Sequence, residues 1–356
     1  MSQQSQTALL VTEIGKPLTK GTRPIPEPSE NQVLVKITVA GLNPHDAKSR
    51  NYGLFIQEFL PAVLAADVVG VVTRLGPNVT RYQEGDHIVG QAGLTLANSN
   101  DTAGLQEYAI LDVRYSAKVP AGFTDAQLAT LPTNLVAPAV ALFDESALGI
   151  PAPWATPSSS SGFDYHATSL LVIGGGSNTG RFGIQLAALA GIGRIIVVGS
   201  ARSAAEAQRL GATHVIDRAH KSGAEIAAEV RAIVGDDLVY VYDAINPPEN
   251  QYIGVEALSN TRKGKLARLI PTGPVDESKL SAPKPAGFET LNVFGLSAVR
   301  PATAAPLWER VTEWVEAGQL VPTESSVIEG LDVDAVNRTL DGYADGSVTG
   351  HWQIRL

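Results

Sequence analysis

The stretch Leu171-Val-Ile-Gly174-Gly175-Gly176-Ser177-Asn178-Thr179-Gly180-Arg-Phe-Gly183 carries residue types that can hold a diphosphate. Glycines adopt positive φ and let the backbone approach a phosphate closely. A helix that starts just after them offers unpaired N–H groups and a partial positive charge. An apolar strand running into a glycine turn and then a helix is the setting in which such a motif holds a dinucleotide pyrophosphate. Gly174, Gly176, Ser177, Asn178, Thr179 and Gly180 are therefore the candidate phosphate-binding residues. The spacing departs from G-x-G-x-x-G, because Ser177 stands where a glycine could be. Its hydroxyl could donate to phosphate instead. A tight structural turn without a ligand is the competing reading.

The end of the second strand selects the dinucleotide. A site for a free ribose 2′-hydroxyl places Asp or Glu about 20 residues after the glycine turn. Here the chain reads Val198-Gly199-Ser200-Ala201-Arg202-Ser203, with no acid before Glu206. Ser200 and Arg202 would accept a 2′-phosphate through hydrogen bonds and charge. Arg218, after the third strand, would flank the same adenosine, although each arginine also reads as a solvated surface charge. NADPH is the expected cofactor.

Composition removes other chemistries. No cysteine occurs among the 356 residues, which excludes disulfides, thiolate-ligated zinc, iron–sulfur clusters and thiol nucleophiles. Twenty-seven Lys and Arg against 36 Asp and Glu give a net charge of −9, the wrong sign for a general nucleic-acid or anionic-membrane binder. The opening MSQQSQTALL has no basic region followed by an apolar one, and no apolar run reaches the roughly 18 residues of a membrane helix. A cytoplasmic protein is expected, with no nucleic-acid or membrane partner.

Two kinds of hydrophobic pattern must position these residues. The first 120 residues read as short strands broken by Gly and Pro: 33–39, 68–72, 87–90 and 105–111. Helices follow over 125–131 and 134–145, broken near Pro132 and Pro138. The Pro- and Ser-rich stretch 151–162 reads as a surface connector or as a lid beside the site. From Ser169, strands at 170–173, 194–198, 214–216, 238–242, 266–270 and 292–296 alternate with helices, which implies a parallel sheet covered on both faces. In the tail, Leu307, Trp308, Val311, Trp314 and Val315 recur at helical spacing before a helix around 335–343 and a last strand at 352–356.

With both halves in view, the chain resembles the medium-chain dehydrogenase/reductase superfamily over nearly its whole length. The likeness rests on Ala65-Ala66-Asp67-Val-Val-Gly70, Leu75-Gly76-x-Asn78-Val79, Gly85-Asp86-x-Ile88, Leu105-Gln106-Glu107-Tyr108-Ala109, Leu131-Pro132-Thr133-Asn134, Gln185-Leu186-Ala187 and Leu210-Gly211-Ala212-x-His214-Val215-Ile216-Asp217. It implies an α/β fold: a GroES-like β-barrel-type domain over 1–125 and 300–356, and a Rossmann doubly wound parallel-sheet domain over 126–299. Zinc members carry an early Cys ligand and a Gly-His-Glu motif. The matching segments here are Asn43-Pro44-His45-Asp46 and Ala65-Ala66-Asp67, which form no ligand set at recognisable spacing. No metal is expected.

The zinc-free branch of quinone oxidoreductases and enoyl reductases is the better likeness, carried by Asn43-Pro44-x-Asp46 and Tyr52-Gly53. The glycine turn, the Pro/Ser-rich loop and Lys48 are similar to fungal trans-acting enoyl reductases of secondary metabolism. That resemblance implies a nicotinamide near Asn43, Asp46 and Thr133. It also implies hydride transfer to an α,β-unsaturated carbonyl, polyketide-type substrates included, or to a quinone. The resulting enolate needs a donor and a proton. Tyr52 and Lys48 are candidates by resemblance and by chemistry. A packed ring and a surface amine are their alternative readings, and water could serve instead. A non-redox isomerase or cyclase on the same scaffold and a non-catalytic NADPH-binding protein are the rival functions. The chain could be a monomer or a homodimer.

Overall fold

The computed structural model describes residues 4–155 and 162–356. Residues 156–161, the centre of the 151–162 loop, lie outside the described residues, and so does the choice between connector and lid.

Strand Ser169–Ile173 explains the parallel half. Its Leu170 and Val172 join one core and its Leu171 and Ile173 another. A strand buried on both faces reads as an unbroken apolar run. It sits within a six-stranded parallel sheet, in the order His214–Asp217, Arg194–Gly199, Ser169–Ile173, Tyr240–Asp243, Gly264–Arg268 and Phe288–Asn292. The order reverses beside Ser169–Ile173, and ligands bind at the carboxyl ends of strands at such a reversal.

The other half is a seven-stranded sheet. Strand Gln32–Leu42 pairs antiparallel with Asp67–Leu75, Tyr108–Asp112 and the C-terminal strand His351–Arg355. Strands His87–Gln91 and Ser116–Lys118 extend one side, and Ser325–Glu329 pairs with His351–Arg355 on the other. Register shifts at Leu34/Val35 and Ile37/Val39 add twist and curl the sheet. A three-stranded sheet of Thr19–Pro24, Ser5–Val11 and Ala62–Val63 packs on it. The molecule is thus an α/β protein made of a GroES-like β unit and a Rossmann sheet. Helix Pro301–Glu316 ties the two together: Leu307, Trp308, Val311 and Val315 share a core with helix Pro132–Phe143 and with Val39, Val69 and Val89 of the barrel.

Two elements differ from their sequence pattern. Helix Pro132–Phe143 runs unbroken through Pro138. Pro132 occupies the first turn, where its missing N–H goes unmissed. Pro138 forfeits one hydrogen bond, but the helix is buried almost throughout, and its packing outweighs that loss. The last parallel strand is Phe288–Asn292, not 292–296. The chain leaves the sheet after Asn292 and passes so close to helix Pro132–Phe143 that a Cβ on Gly295 would sit 2.4 Å from Ala137 Cα. The stretch Asp125–Phe143 has the length and hydropathy of a membrane span, yet 83% of it is buried inside the protein as core.

Candidate active site

A cleft of about 890 Å³ runs between the two halves, within the usual range for small-molecule and cofactor sites. The Rossmann side builds its floor. Gly174 has φ +87° and a Cβ there would lie 2.6 Å from Ile245, so only glycine fits that turn. A Cβ on Gly180 would meet the Gly174 carbonyl at 2.2 Å, so the first helical turn can close down on the loop only with glycine there. Ser177 caps the Asn178–Leu189 helix: its hydroxyl accepts from the Gly180 N–H at 3.1 Å and donates to the Gly174 carbonyl at 2.8 Å. That proton is therefore committed inside the loop. The helix start leaves the N–H groups of Asn178 and Thr179 without intrahelical partners, and both residues line the cleft with Gly174, Gly176 and Ser177. These donors and the glycine cradle fit a diphosphate.

The adenosine end follows. Ser200, Arg202, Ser203 and Arg218 line it together. The Ser200 and Ser203 hydroxyls stand 3.2 Å apart. Glu206 also faces this end, but Arg181 holds it in an ion pair and Arg209 approaches it at 3.6 Å. An acid beyond the strand end thus returns to the ribose wall already neutralised.

The opposite end is built by the barrel and by helix Pro132–Phe143. Asp67 is fully buried. One of its oxygens accepts from Asn43 Nδ2 at 2.8 Å and the other from the Thr133 N–H at 2.8 Å. Burial pushes its carboxyl up to about 6, against hydrogen bonds from Thr133 and Asn43 that pull it down. Asp46 accepts the Asn43 N–H at 2.8 Å and the Ala65 N–H at 3.0 Å. Asn134 Nδ2 lies 3.5 Å from Asn43 Oδ1 and 3.4 Å from His351 Nδ1. Burial drives the His351 imidazole down to about 4. The Thr133 hydroxyl is buried on the same side as its N–H, near the Asp67 carboxylate that it helps to hold ionised.

The structure brings most of the expected residues together. Asn43, Lys48, Thr133, Gly174, Gly176, Ser177, Asn178, Thr179, Ser200, Arg202 and Arg218 all line the cleft. Gly180 sits beneath it as a packing residue. Asp46 is buried behind Asn43 and acts on the site by holding backbone. Tyr52 is not brought to the cleft: it ends helix Pro44–Tyr52 with its ring 78% exposed. The sequence reading missed the apolar end, where Leu54, Phe55, Leu94, Phe294 and Leu296 gather from three distant segments. No local pattern announces that convergence. His45, weighed in the sequence only as a metal ligand and set aside, lines the same cleft. Among the described residues no group of three or more His, Cys, Asp or Glu is placed to hold a metal ion.

Comparison with known proteins agrees with this architecture. The model of the alcohol dehydrogenase GroES-like domain matches residues 29–121, and that of the zinc-binding dehydrogenase matches residues 179–313. Dehydrogenase orsE of Emericella nidulans is 26% identical over 345 residues, 94% of each chain. Trans-enoyl reductase himH of Aspergillus japonicus is 28% identical over 239 residues, 67% of this chain and 66% of that one. A mycobacterial protein solved in complex with NADPH has the same fold, with a TM-score of 0.71 at 22% identity over 99% of this chain and 100% of that one.

Proposed function

Because the chain belongs to the medium-chain dehydrogenase/reductase superfamily, and so is an oxidoreductase that binds a nicotinamide cofactor, we propose that it is a zinc-free NADPH-dependent reductase of α,β-unsaturated carbonyl compounds. Quinones are the second acceptor class. The observation that carries the reading is the continuity of one cleft. It begins at Ser200, Arg202 and Arg218, passes the Asn178 and Thr179 amides, and ends in an apolar chamber beside Asn43 and Thr133.

Reduced nicotinamide supplies hydride. The protein holds it and shapes the space around it. Arg202 and Arg218 offer charge to a 2′-phosphate, and the helix start offers amides to the diphosphate. Asp67 locks Asn43 and the Thr133 backbone into one wall, so the hydrogen-bonding groups that face the ring are fixed before binding. Leu54, Phe55, Leu94, Phe294 and Leu296 give the reacting end an apolar lining, which would limit water there once a substrate covers it. An apolar lining favours an uncharged carbonyl compound over an acidic one. The Asn43 and Asp67 segments supply no ligand set for zinc, and a metal to polarise the carbonyl is not needed when hydride adds to a conjugated carbon. Relatives named dehydrogenase and trans-enoyl reductase support the same chemistry. The reading extends to a cytoplasmic protein acting on small molecules.

The test is loss of NADPH absorbance with a panel of enones and quinones in the presence of a chelator. Consumption with enones, unaffected by the chelator, is expected. A requirement for added zinc, or rearrangement of a substrate without NADPH consumption, would replace the proposal.

A further inference from the structure

The reductase reading leaves a proton to be delivered, and the first turn of helix Pro44–Tyr52 presents a group suited to it. His45 follows Asn43 by two residues and lines the cleft at its reacting end. Its side chain is 19% exposed. The ring stands edge-on to Phe55, with centroids 6.4 Å apart and an interplanar angle of 71°, so an apolar neighbour in the same cleft fixes its tilt. Nε2 is enclosed and has no hydrogen-bond partner. It lies 3.6 Å from Asp46 Oδ1, close enough for a charge contact and beyond a hydrogen bond. Asp46 cannot swing away, because the Asn43 and Ala65 N–H groups hold its two oxygens.

A carboxylate held by two backbone N–H groups thus stands beside an imidazole whose tilt the Phe55 edge restrains. Enclosure of Nε2 leaves Nδ1 as the nitrogen available to a substrate. Lys48 lies one turn further along the same helix and also borders the cleft, but its side chain is exposed to solvent.

We propose that His45 is the catalytic acid that protonates the reduced substrate, with Asp46 as its positioning residue. The proposal rests on the reductase reading above. Hydride addition at the β-carbon leaves an enolate. The electron pair of its carbon–carbon double bond then takes the Nδ1 proton, so that a Cα–H bond forms as the N–H bond breaks and the carbonyl is restored. The imidazole left neutral regains a proton from water. No further oxidant or reductant is involved.

The test reduces an α-methyl enone with NADPH in D2O and compares wild type, His45→Gln and Lys48→Gln under single-turnover conditions. Wild type is expected to place deuterium on one face of the α-carbon. His45→Gln is expected to keep NADPH affinity within about twofold by fluorescence titration, to slow turnover roughly 100-fold, and to spread deuterium over both faces. The proposal is overturned by any other pattern: face-selective product from His45→Gln, loss of its NADPH binding (which makes His45 structural), scrambling in Lys48→Gln alone, or no face selectivity in wild type. A wild-type protein that binds NADPH but reduces no enone or quinone refutes the reductase reading itself, before any variant is compared.

Discussion

The two ends of the cleft treat their polar groups in opposite ways. At the nucleotide end, donors stand ready for an anion: the Asn178 and Thr179 amides, Arg202 and Arg218. At the reacting end, polar groups close on one another: Asp67 on Asn43 and Thr133, Asp46 on Asn43 and Ala65, Asn134 toward His351. One end is completed by its ligand, and the other is completed by the protein and gives the ligand a rigid wall. Mutations at the first should act on affinity, and those at the second on stability and its pH dependence.

The largest effect is expected at Gly180. An added methyl would sit 2.2 Å from the Gly174 carbonyl, a clash with backbone that no side-chain rotation can relieve, so the loop must open. Gly180→Ala should weaken NADPH by about 3 kcal/mol, roughly 100-fold, in a fluorescence titration. Unchanged affinity would break the claim that this turn is shaped to hold the diphosphate.

The reacting end offers a paired test of nearly equal size. Asp67 is raised to about 6 in the fold, so its protonated form is favoured there. Its contribution to stability is present below about pH 4 and is lost as pH rises through 6. His351 is lowered to about 4, so stability is present above about pH 6.5 and is lost as pH falls through 4. Each is worth about 3 kcal/mol across its window, and the windows overlap with opposite sign. Asp67→Asn should therefore make unfolding more acid-sensitive between pH 4 and 6, and His351→Gln less so, in denaturant melts over that range. Parallel curves for all three proteins would contradict the closed network.

Back at the nucleotide end, Arg202→Ala should cost NADPH about 1.5 kcal/mol, the lower limit for a charge-assisted contact at an exposed side chain, and leave NADH within about twofold. Equal losses for both cofactors would remove the 2′-phosphate role. The smallest effect belongs to Glu206→Gln. It removes a carboxylate that Arg181 already neutralises, so NADPH should tighten only a few-fold, by about 0.5 kcal/mol. A large gain would mean that the pair is open in solution.

The same contrast explains what the sequence discloses. The phosphate loop is legible because its demands are local: Gly174 must take positive φ and Gly180 must lack a side chain, and both requirements fall within seven residues. The parallel sheet is legible because Ser169–Ile173 is buried on both faces. Where tertiary packing decides, the pattern misleads. Pro138 reads as a break but lies inside a buried helix, and 292–296 reads as a strand but leaves the sheet to line the cleft. The reacting end is hidden for a stronger reason. Asn43, Asp67, Thr133 and His351 stand tens to hundreds of residues apart; pairing of Gln32–Leu42 with Asp67–Leu75 on one side and with the C-terminal strand on the other, and the docking of helix Pro132–Phe143, put them together. Tyr52 and His45 share one short helix, yet only the backbone path decides that His45 enters the cleft and Tyr52 faces solvent.

The central claim is that this cleft seats a 2′-phosphorylated dinucleotide without help from a metal. Titrating chelator-treated protein with NADPH and then with 2′,5′-ADP or 5′-AMP tests it most directly. One NADPH should bind per chain, displaced by 2′,5′-ADP and not by the same concentration of 5′-AMP. No binding until zinc is restored, or equal displacement by the two adenylates, would contradict it.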